Sequence, residues 1–115
     1  YEHKIIKNCV NGLDKFDVVF PGIKIPDTLY IQKSENNRKT IYELGPTRDN
    51  LIRAQTPQAF HFEYIYQRYL NNEKHYTDDV NLAFLDKKKI KIISGSEYNF
   101  KITTPEDIKI AEKLI

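Results

Sequence analysis

The chain contains no methionine, no tryptophan and a single cysteine, and four of its 115 residues are glycine. Cys9 alone rules out an intrachain disulfide and fits a reducing compartment, so a cytoplasmic setting is expected. The few glycines form neither G-x-G-x-x-G nor a Walker pattern, so no Gly-rich phosphate loop is written here. No apolar run approaches the roughly 20 residues that span a bilayer, and neither a membrane association nor a signal peptide is expected. Charge of one sign is not in excess either. Eighteen Lys+Arg against 16 Asp+Glu leave +2, too mild to point to nucleic acid. His3, His61 and His75 lack metal-ligand spacing, and no Ser/His/Asp set is supported locally, so neither a protein-held metal nor a nucleophilic triad is expected. A chain without methionine that starts at Tyr1 reads as part of a longer protein.

The residues that are present alternate between two periodicities. Ile5, Ile6, Cys9, Val10 and Leu13 predict an amphipathic helix over 2–14. Asp17-Val18-Val19-Phe20 reads as a short buried parallel strand, which Pro21-Gly22 is expected to break or bend. Residues 28–44 read as a β-hairpin with turn chemistry around Ser34-Glu35-Asn36-Asn37. That hairpin has too few apolar residues for two buried faces, so it should project or pack against a partner chain. Phe62, Ile65, Tyr66, Tyr69 and Leu70 give the strongest helical spacing, over 61–72. Thr77-Asp78-Asp79 reads as a cap and an acidic first turn, with Val80, Ala83 and Phe84 continuing the apolar face. Ile90, Ile92 and Ile93 predict a strand ending at Gly95, and Phe100–Thr103 a short extended piece. Thr104-Pro105-Glu106-Asp107 is a helix start, followed by Ile108, Ala111, Leu114 and Ile115 on its apolar side. Alternating helices and strands make the class α/β with a partly parallel sheet.

Few polar residues stand where chemistry could happen. Thr77 is plainly a helix cap, but the same helix start could bind a phosphate. Lys101 is plainly a solvated lysine, but it could carry its ammonium to the C-terminal end of a sheet, where ligands of open α/β sheets bind. Arg48 lies at the foot of the hairpin and would alone be a surface arginine; Cys9 is a core residue. The run Arg53-Ala54-Gln55-Thr56-Pro57-Gln58-Ala59-Phe60 is the odd one, because a proline cannot donate to a sheet ladder and Gln and Thr are poor core residues.

Pro26-Asp27-Thr28, Arg48, Ala54–Phe60, Thr77-Asp78, Asn99–Thr103, Pro105-Glu106-Asp107 and Ala111-Glu112 form an ordered series. In that order and spacing the chain resembles the C-terminal half of the methylerythritol phosphate cytidylyltransferases of isoprenoid synthesis, whose near relatives act on ribitol phosphate. The resemblance implies an α/β, three-layer nucleotidyltransferase (nucleotide-diphospho-sugar transferase-like) fold. Residues 1–115 would be the C-terminal part of one cytidylyltransferase domain, and 27–47 an arm through which two subunits embrace as a homodimer. It implies a reaction in which an alditol phosphate attacks the α-phosphate of CTP with Mg²⁺ present and pyrophosphate leaves. It also implies that Lys101 and Thr77 lie at the substrate phosphate, and that Thr28 and Arg48 reach the alditol phosphate from the partner's arm, with Lys101 and Arg48 as the catalytic pair. Thr56-Pro57-Gln58 would shape the site wall rather than take part in the chemistry. The family's Thr-Asp-Glu is Thr77-Asp78-Asp79 here, which keeps the acidic turn. The family's nucleotide-binding half has no counterpart in this chain, so the chain alone is expected to be inactive. Ribitol phosphate as acceptor, or a non-catalytic dimerisation or polyol-phosphate-binding module, remain the alternative readings.

Overall fold

A computed structural model of the protein describes residues 3–36, 39–71 and 79–114. The order is α1 (His3–Gly12), β1 (Val18–Lys24), β2 (Tyr30–Asn36), β3 (Lys39–Leu44), a 3₁₀ turn (Arg48–Asn50), β4 (Ile52–Ala54), β5 (Ala59–Phe60), α2 (Phe62–Asn71), α3 (Val80–Leu85), β6 (Ile90–Ser94) and α4 (Pro105–Leu114).

β1 is the centre of the domain. β6 pairs with it in parallel along Val18–Gly22. β4 and β5 pair with it antiparallel, at Gly22–Lys24 and Val18–Val19 respectively. A strand has two edges and β6 occupies one of them, so β4 and β5 share the other. They are one strand interrupted at Gln55–Gln58. Successive side chains of β1 leave on opposite faces. Val18 and Phe20 pack with Val80 and Ala83 of α3 on one face, while Val19 packs with Ile5 and Cys9 of α1 on the other. The result is helix, sheet, helix: three layers around a strand whose first residues are fully buried. Burying each such aliphatic side chain contributes about 1.5–3 kcal/mol.

Pro21-Gly22 was expected to break or bend the strand; it does not break it, and β1 runs on to Lys24. The Gln55 N–H donates to the Pro21 carbonyl at 2.8 Å, so Pro21 faces the β4/β5 edge. That edge is the one interrupted by Thr56–Pro57. The N–H that Pro21 lacks falls where the ladder already has a gap, so the proline costs the strand no hydrogen bond.

Two helices carry their apolar faces differently from expectation. In α3 the buried residues are Val80, Leu82 and Ala83, while Phe84 is 57% exposed. In α2 the helical period is as expected, but no residue is buried, and Phe62, Tyr66, Tyr69 and Leu70 are all exposed. Tyr64 packs, partly buried, against the core cluster of β1 and α3, and polar contacts tie α2 to the end of α3. Tyr64 Oη donates to Asp86 Oδ2 at 2.6 Å, and Arg68 Nε pairs with the same oxygen at 2.9 Å. Burial, then the bond to Asp86, pushes the Tyr64 phenol well above its ordinary value.

β2 and β3 form a separate two-stranded sheet, in which Lys33 and Glu43 pair across the strands at 2.9 Å. Tyr30, Ile31, Ile41, Tyr42 and Leu44 of this arm are exposed. The radius of gyration is 17.3 Å, against about 13 Å for a compact domain of this length. β2 and β3 pack mainly against each other and hardly against the other described elements. The expected turn at Asn37 lies outside the described residues.

α4 starts as its sequence dictates. The Asp107 carboxylate accepts from the N–H groups of Thr103 and Thr104, both at 3.0 Å, and the Asp107 N–H donates to Thr104 Oγ1 at 3.2 Å. With Pro105 in the first turn this is a reciprocal cap that satisfies donors the helix cannot. The Thr103 N–H, then that of Thr104, holds the Asp107 carboxyl below its ordinary value. A depressed folded-state pKa stabilises above the unfolded value and is lost as pH falls through the folded one. Acid titration by NMR should therefore move the Thr103 and Thr104 amide signals with a midpoint below that of an unstructured aspartate. In Asp107→Asn that transition should vanish and the first turn of α4 should fray.

Candidate functional site

Because β1 and β6 are parallel, their carboxyl ends open on the same side, where open α/β sheets bind ligands. A cavity of about 550 Å³ lies there, within the range of small-molecule sites. Ile23 from the end of β1 and Ala54 from β4 form part of its lining. Gln55, Thr56 and Gln58 contribute from the interrupted strand, and Glu97, Asn99, Phe100 and Lys101 from the loop after β6.

Lys101 was expected at the sheet's C-terminal end, and it is there, exposed and lining the cavity. It sits on the loop beyond β6 rather than on a strand. Arg48 and Thr28 do not line the cavity. They stand at the foot of the arm, where an Arg48 Nη1–H bonds to the Pro26 carbonyl. The chain by itself therefore does not bring Arg48 and Lys101 together at this cavity. Thr77, the expected helix cap, lies outside the described residues, two positions before Asp79, which lines the cavity.

Three further charged residues line the cavity, Arg53, Glu97 and Asp79, and none of them was a candidate site residue in the sequence. Arg53 is a second cation, in an ion pair with Glu97 at 3.3 Å. Both side chains are largely exposed, so the pair is worth little and can open for an anion. Asp79 accepts from Tyr69 Oη at 2.8 Å, which raises the Tyr69 pKa. Arg53 and Lys101 bring positive charge to one hollow; Glu97 and Asp79 balance it where no anion is bound. Such a set suits a phosphorylated ligand better than a neutral one.

The odd run 53–60 explains itself in three dimensions. Ala54 and Ala59 are both paired to β1 and the Gln55 N–H still bonds to Pro21, while residues 56–58 bulge out of the ladder, with a cis Thr56–Pro57 peptide among them. Beneath the bulge the Cys9 thiol lies 3.9 Å from the Pro57 carbonyl oxygen; burial raises its pKa, as befits a core cysteine. Above it, the bulge is tied to the loop that bears Lys101. Gln55 Nε2 donates to the Ser96 carbonyl at 2.8 Å and the Ser96 N–H donates to Gln55 Oε1 at 3.1 Å. Asn99 Nδ2 donates to the Thr56 carbonyl at 2.6 Å. The polar residues that fit no core position are thus the ones that bond across the cavity wall.

Among the described residues no group of three His, Cys, Asp or Glu is placed to hold a metal ion. These residues do not make a cage for Mg²⁺, and no step below passes through the ion.

Residues 1–115 match the family described as IspD, 2-C-methyl-D-erythritol 4-phosphate cytidylyltransferase. A bifunctional IspD/IspF enzyme of Pelagibacter ubique is 40% identical over 106 residues, which are 92% of this chain and 27% of that protein. A 2-C-methyl-D-erythritol 4-phosphate cytidylyltransferase of Clostridium botulinum is 37% identical over 113 residues, 96% of this chain and 49% of that one. The solved 4-diphosphocytidyl-2C-methyl-D-erythritol synthase of Anaerococcus prevotii superposes with a TM-score of 0.77 at 34% identity, over 98% of this chain and 52% of that one. The chain thus spans about half the length of the single-function relative or less, and its mixed sheet is that of the nucleotidyltransferase-like fold.

Proposed function

The chain belongs to the 2-C-methyl-D-erythritol 4-phosphate cytidylyltransferase family, and on that premise we propose that it supplies the acceptor side of a cytidylyl transfer. In this reading a phosphate oxygen of an alditol phosphate, 2-C-methyl-D-erythritol 4-phosphate, attacks the α-phosphorus of CTP. The bond from that phosphorus to the oxygen bridging to the β-phosphate breaks, and pyrophosphate leaves with its electron pair. The attacking oxygen is already anionic, so no general base is required. The protein's task is to position two anions and offset their charge.

The observation that carries this reading is Lys101 on the cavity at the carboxyl end of the parallel pair, with Arg53 lining the same cavity. Lys101 would hold the acceptor phosphate. Thr77 would add a hydroxyl to the same phosphate. Arg48 and Thr28, carried away from their own cavity at the arm's foot, would serve the cavity of a partner subunit in a cytoplasmic homodimer. Mg²⁺ would arrive on the phosphates of CTP, as it does in sites that lack an all-protein cage.

Pyrophosphate release from CTP and Mg²⁺, measured on the full-length protein with methylerythritol phosphate or ribitol phosphate in separate reactions, tests it. Release with the first and little with the second is expected. Release with ribitol phosphate alone would reassign the acceptor. Silence with both would favour a dimerisation or polyol-phosphate-binding module.

A further inference from the structure

Lys101 belongs to a loop, residues 95–102, that follows β6 and has no regular structure of its own. A lysine on such a loop is a poor anchor for a phosphate unless something fixes the loop, because every unfixed backbone residue keeps conformational freedom that binding would have to remove. The fixing groups come from the other side of the cavity. Gln55 makes two hydrogen bonds to the backbone of Ser96, one as donor and one as acceptor, in the manner of a neighbouring strand. Asn99 returns the arrangement by donating to the Thr56 carbonyl. Ser96 is itself the start of a turn, bonded from the N–H of Asn99 at 3.0 Å and, through its hydroxyl, from that of Tyr98 at 3.2 Å. The approach is close enough that a Cβ on Gly95 would run into Gln55 Oε1 and sit 3.1 Å from the Gly22 carbonyl oxygen. Gln55 is half-buried, whereas the ion pair of Arg53 and Glu97, which spans the same gap, is exposed. Screened surface pairs hold little, so the latch is the amide, not the ion pair.

We propose that Gln55 is a positioning residue for the cytidylyl transfer: by pairing with the Ser96 backbone, with Asn99 on Thr56 as its second point, it holds the 95–102 loop so that Lys101 faces the cavity. The proposal rests on the reading of Lys101 as the phosphate-binding lysine. It also gives the interrupted strand a purpose. The Gln55 N–H stays on β1 and the Gly95 N–H bonds to the Gly22 carbonyl, so the sheet holds only the start of the loop. Past that point the Gln55 side chain and the Thr56 carbonyl, where the strand leaves the ladder, make the bonds to the loop.

A double-mutant cycle in the full-length protein tests this, with Gln55→Ala, Lys101→Ala and the two combined. Gln55→Ala should lower kcat by about 10- to 100-fold, the usual consequence of misplacing a catalytic group by an ångström, with the KM for CTP little changed. Because Gln55 acts through Lys101, the combined variant should turn over no more slowly than Lys101→Ala alone. A residue that merely supported the fold would add its loss in full to the combined variant, and that result overturns the proposal. Should Gln55→Ala fail to fold, Asn99→Ala removes the exposed half of the latch and should show a smaller loss that likewise disappears in the Lys101→Ala background. Unchanged kcat in whichever of these two variants folds overturns the proposal as well. If instead Lys101→Ala itself turns over normally, the lysine's assignment has failed and the latch falls with it, an outcome distinguishable from failure of the latch alone.

Discussion

Replacing Lys101 with alanine should lower the turnover of the full-length protein by about 100- to 1,000-fold, the effect of deleting one preorganised charge donor from a transfer site. The side chain is exposed and lines the cavity without belonging to either core cluster. Its loss should therefore leave stability within about 0.5 kcal/mol of the parent, as for surface positions away from special features. The loss should fall on kcat more than on the KM for CTP, since the acceptor phosphate, not the nucleotide, is what the ammonium meets in this reading. Lys101→Arg keeps the charge on a differently shaped head and should recover part of the activity. The measurements are steady-state turnover and thermal melting on the same preparations. Turnover within twofold of the parent would remove Lys101 from the site.

Arg48→Ala should cost about 100-fold in turnover, again as one lost charge at a transfer site, and yet be rescued in part by a second defective subunit. Arg48 stands at the arm's foot and does not line the cavity that holds Lys101. If it serves a partner's cavity, a dimer of one Arg48→Ala and one Lys101→Ala subunit contains one intact site and one doubly defective site. Equal mixing makes half of the dimers mixed, so about a quarter of the parent activity should return for a two-fold symmetric pair. The check is an activity assay on subunits mixed and re-equilibrated, with sedimentation confirming that dimers form and exchange. No recovery from exchanging dimers would place Arg48 in its own subunit's site and refute the crossed arrangement.

The bonds of Asp107 to Thr103 and Thr104, the period of Ile5 and Cys9, and the alternating hairpin at 30–44 are all interactions between near neighbours in the chain. They can be written in sequence because they are settled by local geometry. So were α1, the strand at Ile90–Ser94 and the start of α4. The period of α2 was legible too, but not its exposure. A periodic stripe of Phe62, Tyr66, Tyr69 and Leu70 says that a helix has an apolar side, and nothing in it says whether that side is covered.

What the sequence by itself determined is the four helices, β1, β6 and the hairpin, the α/β class and the ordered motifs that place the chain in its family; it did not show β4 and β5, and the extended piece read at Phe100–Thr103 is loop. The tertiary structure alone decided how Pro21 lies within a continuous strand, that Leu82 and not Phe84 turns inward, and that Gln55 and Asn99 span the cavity wall. The physical reason is the same in all three. A missing N–H matters only if a partner faces it, an apolar residue is core only if another layer covers it, and an amide is a latch only if a distant backbone lies within reach. Pro21 and Gln55 meet 34 positions apart in the chain, and Gln55 and Ser96 meet 41 apart. Pairings of that range are fixed by the way β1 gathers its neighbours, and no window of the sequence contains them.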